Sequence, residues 1–247
     1  MAAVETAWPR LLAISTVKYC CSILLLSLAL SLSLYYVIIK SMKNENDPLT
    51  GILLTLPTWL EKMLAGKEIV IPDPEKRMRW VIGLSRQNVE HASGGPFTAA
   101  VFAINSGKLL GAGVNRVEPL HCSPAHAEVM AIAFAQMSLG TWDLGDDPAL
   151  PAQLVTSSQP CLMCLGATLW SGVTRLSYAA TAADVTSILG FDEGPLPAAW
   201  PQELQKRGIM VKAEFLRSEA IAILELYKKK QGTIYISRKG KAAGGTP

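Results

Sequence analysis

The chain has 247 residues, half of them hydrophobic, enough for one full-sized domain with extensions and a sizeable core. Its net charge of +3 is uneven: residues 228–247 contribute +6 (Lys228, Lys229, Lys230, Arg238, Lys239, Lys241) and residues 1–41 contribute +2, which leaves 42–227 at −5. A mildly acidic body excludes the broad basic face of a nucleic-acid binder, and five cysteines at 20, 21, 122, 161 and 164 lack the spacing of a disulfide framework.

Tyr19 to Ile39 is a run of 21 residues without a charge, flanked by Lys18 and Lys40. About 20 apolar residues cross a bilayer core as a helix, so this N-terminal hydrophobic helix reads as a membrane anchor. A second reading stands beside it: Met42 opens "MKNEND", an ordinary polar start, and residues 1–41 then precede the working chain. No small-residue cleavage site follows the run, which argues against a secretory signal. The thiols fit a reducing compartment and a cytoplasmic catalytic domain.

Residues 42–72 read as a linker that packs on the domain after it. Then "DPEKRMRWVIGLSRQNVEHA" predicts a helix, with Asp73 as cap, Pro74 in the first position, and Met78, Val81, Ile82 and Val89 at helical spacing. "TAAVFAI" and "KLLGAGV" around "NSG" predict a hairpin. "SPAHAEVMAIAFAQMSLG" predicts a helix capped by Ser123, with Pro124 first and Gly140 as terminator. "AQLVTSS" reads as a strand, "PCLMCLGATLWSG" as a helix begun by Pro160, and "VTRLSYAA" as a strand. "TAADVTSILG" and "PAAWPQELQKRG" are helical, "IMVKAEFL" is a strand and "SEAIAILELYKKK" a final helix. Strands alternating with helices predict a layered α/β domain over 73–238, with a disordered tail over 239–247.

Three residues have the spacing and chemistry of a metal site. Cys161 and Cys164 are three apart at a helix start, where the dipole favours thiolate. His126 stands at the start of another helix, and two thiolates with one imidazole suit zinc. Three protein ligands leave a fourth position for water, one ion per chain, and Glu128 beside His126 is the natural proton carrier. A closed structural site that recruits Cys122 or His121 as fourth ligand is the alternative.

His126-x-Glu128 followed by Pro160-Cys161-x-x-Cys164 resembles the zinc deaminase signature. Residues 74–238 are similar to the cytidine deaminase-like superfamily, and within it to the small zinc guanine deaminases. That resemblance implies a three-layer α/β/α sandwich around a five-stranded mixed sheet, and hydrolytic removal of an amino group from a nucleobase. "GGPF" and "GAGVN" resemble the family's pocket segments, which assigns Phe97 and Asn115 to substrate binding. Trp170 falls where an aromatic lines the base pocket. "GFDEGPLPAAW" resembles a guanine deaminase subgroup, so Glu193 is expected to contact the purine and shuttle protons. Tyr235 is the expected lid residue on a C-terminal segment that covers an active site in a homodimer. Gln159, Thr98 and Ile236 depart from the family pattern. The expectation is a zinc-dependent hydrolase acting on a purine base, guanine to xanthine plus ammonia. A tRNA adenosine deaminase and a catalytically silent base-binding protein are the competing readings.

Overall fold

A computed structural model of the chain describes residues 53–235. The apolar run at 19–39, Ile236 and the tail lie outside the described residues. Among the described residues no helix is long and apolar enough to cross a membrane.

The expected linker contains a helix, α1 (Thr58–Leu64), and a bridge between Val70 and Lys108. Leu60 of α1 is fully buried against Leu84 and Val114. Helix α2 (Pro74–Glu90) begins as the sequence predicts: Asp73 Oδ1 accepts from the amides of Glu75 (2.8 Å) and Lys76 (3.3 Å), and Pro74 occupies the first turn. Its apolar stripe of Met78, Val81, Ile82 and Val89 is buried.

Strands β1 (Thr98–Ala103) and β2 (Leu109–Val114) form the predicted antiparallel hairpin. Strand β3 (Ala152–Ser158) lies antiparallel to β1, and β4 (Arg175–Ala180) and β5 (Met210–Lys212) continue in parallel. The sheet is therefore mixed and five-stranded, in the order β2-β1-β3-β4-β5. The strand expected over "IMVKAEFL" is shorter than its pattern: after Lys212 the backbone turns through Glu214 and Leu216, both at positive φ.

The remaining helices are α3 (Ala127–Leu139), α4 (Leu162–Trp170), α5 (Ala182–Leu189), α6 (Trp200–Lys206) and α7 (Arg217–Lys229). Side chains alternate across β1, as the two-residue period of a strand requires. Ala99, Val101 and Ala103 pack with Ala127 and Ala131 of α3, Leu165 of α4 and Leu204 of α6. Ala100 and Phe102 pack with Met78 of α2, Val185 of α5 and Ile223 of α7. Two helical layers thus cover the two faces of the sheet.

One close contact fixes the helix that carries the site. Ala127, Ala131 and Ala135 form a single row along α3, facing Gly111 and Gly113 of β2. A β-carbon on Gly113 would run into the backbone of Ala127 and Ala131, and one on Gly111 into Ala131 and Ala135. Helix and strand therefore pack backbone to backbone, and the N-terminus of α3 is held at the end of the sheet.

Candidate active site

Neither site helix begins where its proline suggests. Cys122 to Ala125 form a turn, with the Ala125 amide donating to Cys122 O at 3.0 Å. His126 is then the N-cap, in extended backbone (φ −72, ψ 152), and α3 starts at Ala127 rather than at Pro124. In the same way Cys161 is the N-cap of α4 (φ −66, ψ 173), and Cys164 falls in its first turn. A capping residue lies half outside its helix, so its side chain projects past the end instead of along the flank. This is how His126 and Glu128, two apart, come to face one space. The Leu162 amide, one of the unsatisfied donors of α4, donates to Glu193 O at 3.0 Å and ties the 191–194 loop to the same point.

The three expected ligands converge. Their donor atoms lie within 4.8 Å of one another, and His126 Nδ1 is 3.5 Å from Cys161 Sγ and 3.5 Å from Cys164 Sγ. Tetrahedral zinc with bonds of about 2.3 Å to sulfur and about 2.0 Å to nitrogen separates such atoms by roughly 3.5 Å, so the donor set fits the ion. His121 and Cys122 stand outside this cluster. Zinc needs both thiols deprotonated and the imidazole neutral. The hydrogen bond from Cys164, followed by that from His126, already pulls the Cys161 thiol down to about 4.

Two carboxyls adjoin the ligands. Glu128 is buried, with Oε2 3.3 Å from Cys164 Sγ and Oε1 3.4 Å from the Thr156 hydroxyl. Burial, and then the Cys161 thiolate, push its pKa up to about 7. Glu193 is pushed up to about 8 by burial, then by Cys161 and Glu128. Both line a cavity of about 220 Å³ together with His126 and Cys161.

An aromatic wall closes that cavity. Phe97 meets Phe191 edge-on at 5.3 Å, and Phe191 meets Tyr235 at 5.0 Å. The Tyr235 ring also stands 6.2 Å from His126. Asn115 is buried behind it: its Oδ1 faces the amides of Gly95 and Val117 at 3.4 Å, and its Nδ2 donates to the Tyr235 hydroxyl at 2.5 Å. The C-terminal segment thus reaches the cavity of its own chain.

Trp170 does not join the wall. It is the last residue of α4 and 85% exposed, because the helix runs away from the cavity after Cys164. Thr98 also lies away from the cavity, its hydroxyl donating to Val81 O at 2.6 Å. Gln159 does line the cavity, and its Oε1 accepts the Ala182 amide at 3.3 Å at the start of α5, a task that asks for an acceptor and no charge. The wall further includes Val117, Ser123, Ser158, Phe191 and Asp192, which sequence reasoning had not assigned to it. The signal for Ser158 is a polar run, Thr156 to Gln159, that closes the strand ahead of Pro160-Cys161.

This donor set at two helix starts, on a three-layer α/β frame, defines a zinc-dependent deaminase domain. The cytidine and deoxycytidylate deaminase zinc-binding region matches residues 73–180, and the chain belongs to that family. The guanine deaminase of Bacillus subtilis (strain 168) is 35% identical over 119 residues, 48% of this chain and 71% of that protein. The solved guanine deaminase from Nitrosomonas europaea is 46% identical with a TM-score of 0.69, over 72% of this chain and 97% of that one. The protein NE0047, solved in complex with 2,6-diaminopurine, is 46% identical with a TM-score of 0.70, over 76% of this chain and 98% of its own.

Proposed function

We propose that this protein is a zinc-dependent guanine deaminase that converts guanine and water to xanthine and ammonia. One observation carries the reading. Two protonatable carboxyls, Glu128 and Glu193, face an incomplete zinc donor set inside one cavity walled by aromatic rings. The likeness to guanine deaminases over most of the described residues supports the choice of base.

His126, Cys161 and Cys164 would hold the zinc and would leave one position of a four-coordinate ion free. When bound, the ion lowers the pKa of water to about 7 and makes hydroxide available at neutral pH. Glu128 takes the proton released there at a carboxylate oxygen and passes it to a ring nitrogen of the purine. As oxygen adds to the carbon that bears the amine, Glu193, held protonated by burial, gives a proton to the departing amine and recovers one from the added hydroxyl as the carbonyl forms. Two carboxyls in different surroundings can hold different protonation states, which is what acid and base roles require. Phe97, Phe191 and Tyr235 sandwich the flat base and exclude water. Asn115 supplies a donor and an acceptor to its edge once the Tyr235 hydroxyl releases the amide.

A tRNA-specific adenosine deaminase from Buchnera aphidicola is 29% identical over 122 residues. RNA substrates ask for a basic face, and the net charge of −5 over 42–227 does not provide one. We also assign a homodimer, supported by an apolar outer face on α4, where Leu162, Met163, Leu169 and Trp170 are exposed.

The test is ammonia release from guanine, guanosine, adenine, cytosine and an anticodon stem-loop, with zinc quantified on the same sample. Zinc-dependent release from guanine is expected. Glu128→Ala should keep its zinc and lose about 10²- to 10⁴-fold in kcat. Turnover confined to the stem-loop, or a fully active Glu128→Ala, would sink the reading.

A further inference from the structure

All seven residues of β3 are buried, yet its last three are Thr156, Ser157 and Ser158. Two of these hydroxyls are used by the fold. Thr156 Oγ1 donates to Thr98 O at 3.3 Å, and Ser157 Oγ accepts the Thr98 amide at 3.0 Å. Ser158 is different: it is 4% exposed, and its Oγ has no hydrogen-bond partner. Among the described residues Arg116 Nε is the one other buried side-chain polar atom in that state.

A buried hydroxyl that makes no hydrogen bond within the protein keeps both its donor and its acceptor capacity for whatever fills the cavity beside it. The position of Ser158 gives the hydroxyl something to do. Strand alternation puts it on the face of Thr156, which reaches Glu128. Ser158 lines the cavity with Glu128, Gln159 and Cys161, at the end where the metal ligands lie. The carbon that bears the leaving amine must sit at that end for hydrolysis to occur. A serine hydroxyl moves between three staggered χ1 wells, so Oγ can turn toward a ligand atom beside it.

We propose that Ser158 is a specificity-determining residue whose hydroxyl accepts a hydrogen bond from the exocyclic amine of the bound purine. The proposal rests on the guanine deaminase reading and adds to it the group that recognises the amine itself. The oxygen then gains the partner that the fold withholds, and a purine without that amine leaves it unpaired. Sites built to bond a polar substrate group reject the analogue that lacks it.

The experiment compares the zinc-loaded full-length protein with Ser158→Ala. Inhibition constants are measured for 8-azaguanine, which carries the amine, and for hypoxanthine, which is guanine without it, against guanine turnover. NE0047 variants have been solved with 8-azaguanine. The expected result is a three- to tenfold weaker inhibition by 8-azaguanine, roughly one hydrogen bond. Hypoxanthine should change by less than about twofold. Equal losses for both inhibitors, or no loss for either, would overturn the proposal. If the unaltered protein does not turn over guanine at all, the functional reading fails first and takes this inference with it. If it does, and Ser158→Ala matches it throughout, only the inference falls.

Discussion

Glu128 and Glu193 occupy the same cavity, and their burial and shared neighbours set how each can act. The Cys161 thiolate raises both, and Glu128 also raises Glu193, so the first proton to leave comes from Glu128. Without a metal ion, burial and the Cys161 thiolate push Glu193 up to about 8, above Glu128. A divalent cation at the three ligands pulls both values down, so Glu193 gives up its proton at or below that pH. With Glu193 as proton donor, guanine turnover should fall on the alkaline side. Glu193→Gln should lower kcat by about 10²-fold or more, leave KM within a few-fold, and remove that alkaline fall. A Gln variant with the same pH–rate profile as the unaltered protein would leave Glu193 with a binding role only. The four residues nearest the metal chemistry were legible in the sequence because their spacing is itself chemical: His126, Glu128, Cys161 and Cys164 stand at helix starts. The direction of Trp170 and the unpartnered hydroxyl of Ser158 were not. Aromatic character does not tell which way a helix end points, and the missing partner of Ser158 is visible only in three dimensions.

At the scale of elements, the aromatic wall depends on how α5 and α7 are fastened, since Phe191 follows α5 and Tyr235 follows α7. Asp184 joins them. Its Oδ2 accepts from the Thr181 amide (2.8 Å), the Thr181 hydroxyl (2.7 Å) and Arg217 Nε (2.7 Å), while Oδ1 accepts from Arg217 Nη2 at 2.7 Å. Thr181 Oγ1 in turn accepts the Asp184 amide, which completes a capping box at the start of α5. The Arg217 hydrogen bond is the largest of the effects that hold the Asp184 carboxyl well below the usual carboxylate range. A depressed folded pKa means stability that is present above the unfolded value of about 4 and is lost as pH falls below it. Arg217 is 43% exposed, so solvent screening reduces its share. Asp184→Asn should therefore cost about 1–3 kcal/mol at pH 7. The gap in Tm should narrow as pH is lowered through about 4, because the unaltered protein gives up its carboxylate there. A gap that stays constant down to pH 3 would contradict this account of the joint. Helices and strands were legible here through their periods, yet both site helices begin later than their prolines predict. Local capping preference yielded to the need for His126 and Cys161 in extended backbone. The short β5 has the same kind of cause, a turn through Glu214 and Leu216 that apolar pattern alone does not announce.

For the whole molecule, the question is what covers α4. The sequence Leu162–Trp170 has no charged residue, and its outward side presents Leu162, Met163, Leu169 and Trp170 to solvent. Isolated exposed apolar residues need no explanation, but four on a single nine-residue helix form a patch of the kind that marks an interface. The same helix begins with Cys161 and Cys164, and its first amide holds the Glu193 loop, so a partner seated on this face would stiffen the site as well as hide the patch. The homodimer reading predicts twice the chain mass in sedimentation equilibrium at micromolar concentration. Trp170→Glu should shift that equilibrium to monomer, since a charge cannot be buried there without a partner. Zinc content should stay at one ion per chain in the monomer, because all three ligands come from a single subunit. Tyr235 gives the experiment a second reading. Its hydroxyl already meets Asn115 of its own chain, so a lid closed in this way needs no second subunit. A Trp170→Glu monomer that keeps its guanine KM would place the lid in the same chain. A monomer whose KM rises sharply would mean that the partner's C-terminal segment does the closing, and an unaltered protein that sediments as a monomer would end the dimer reading outright.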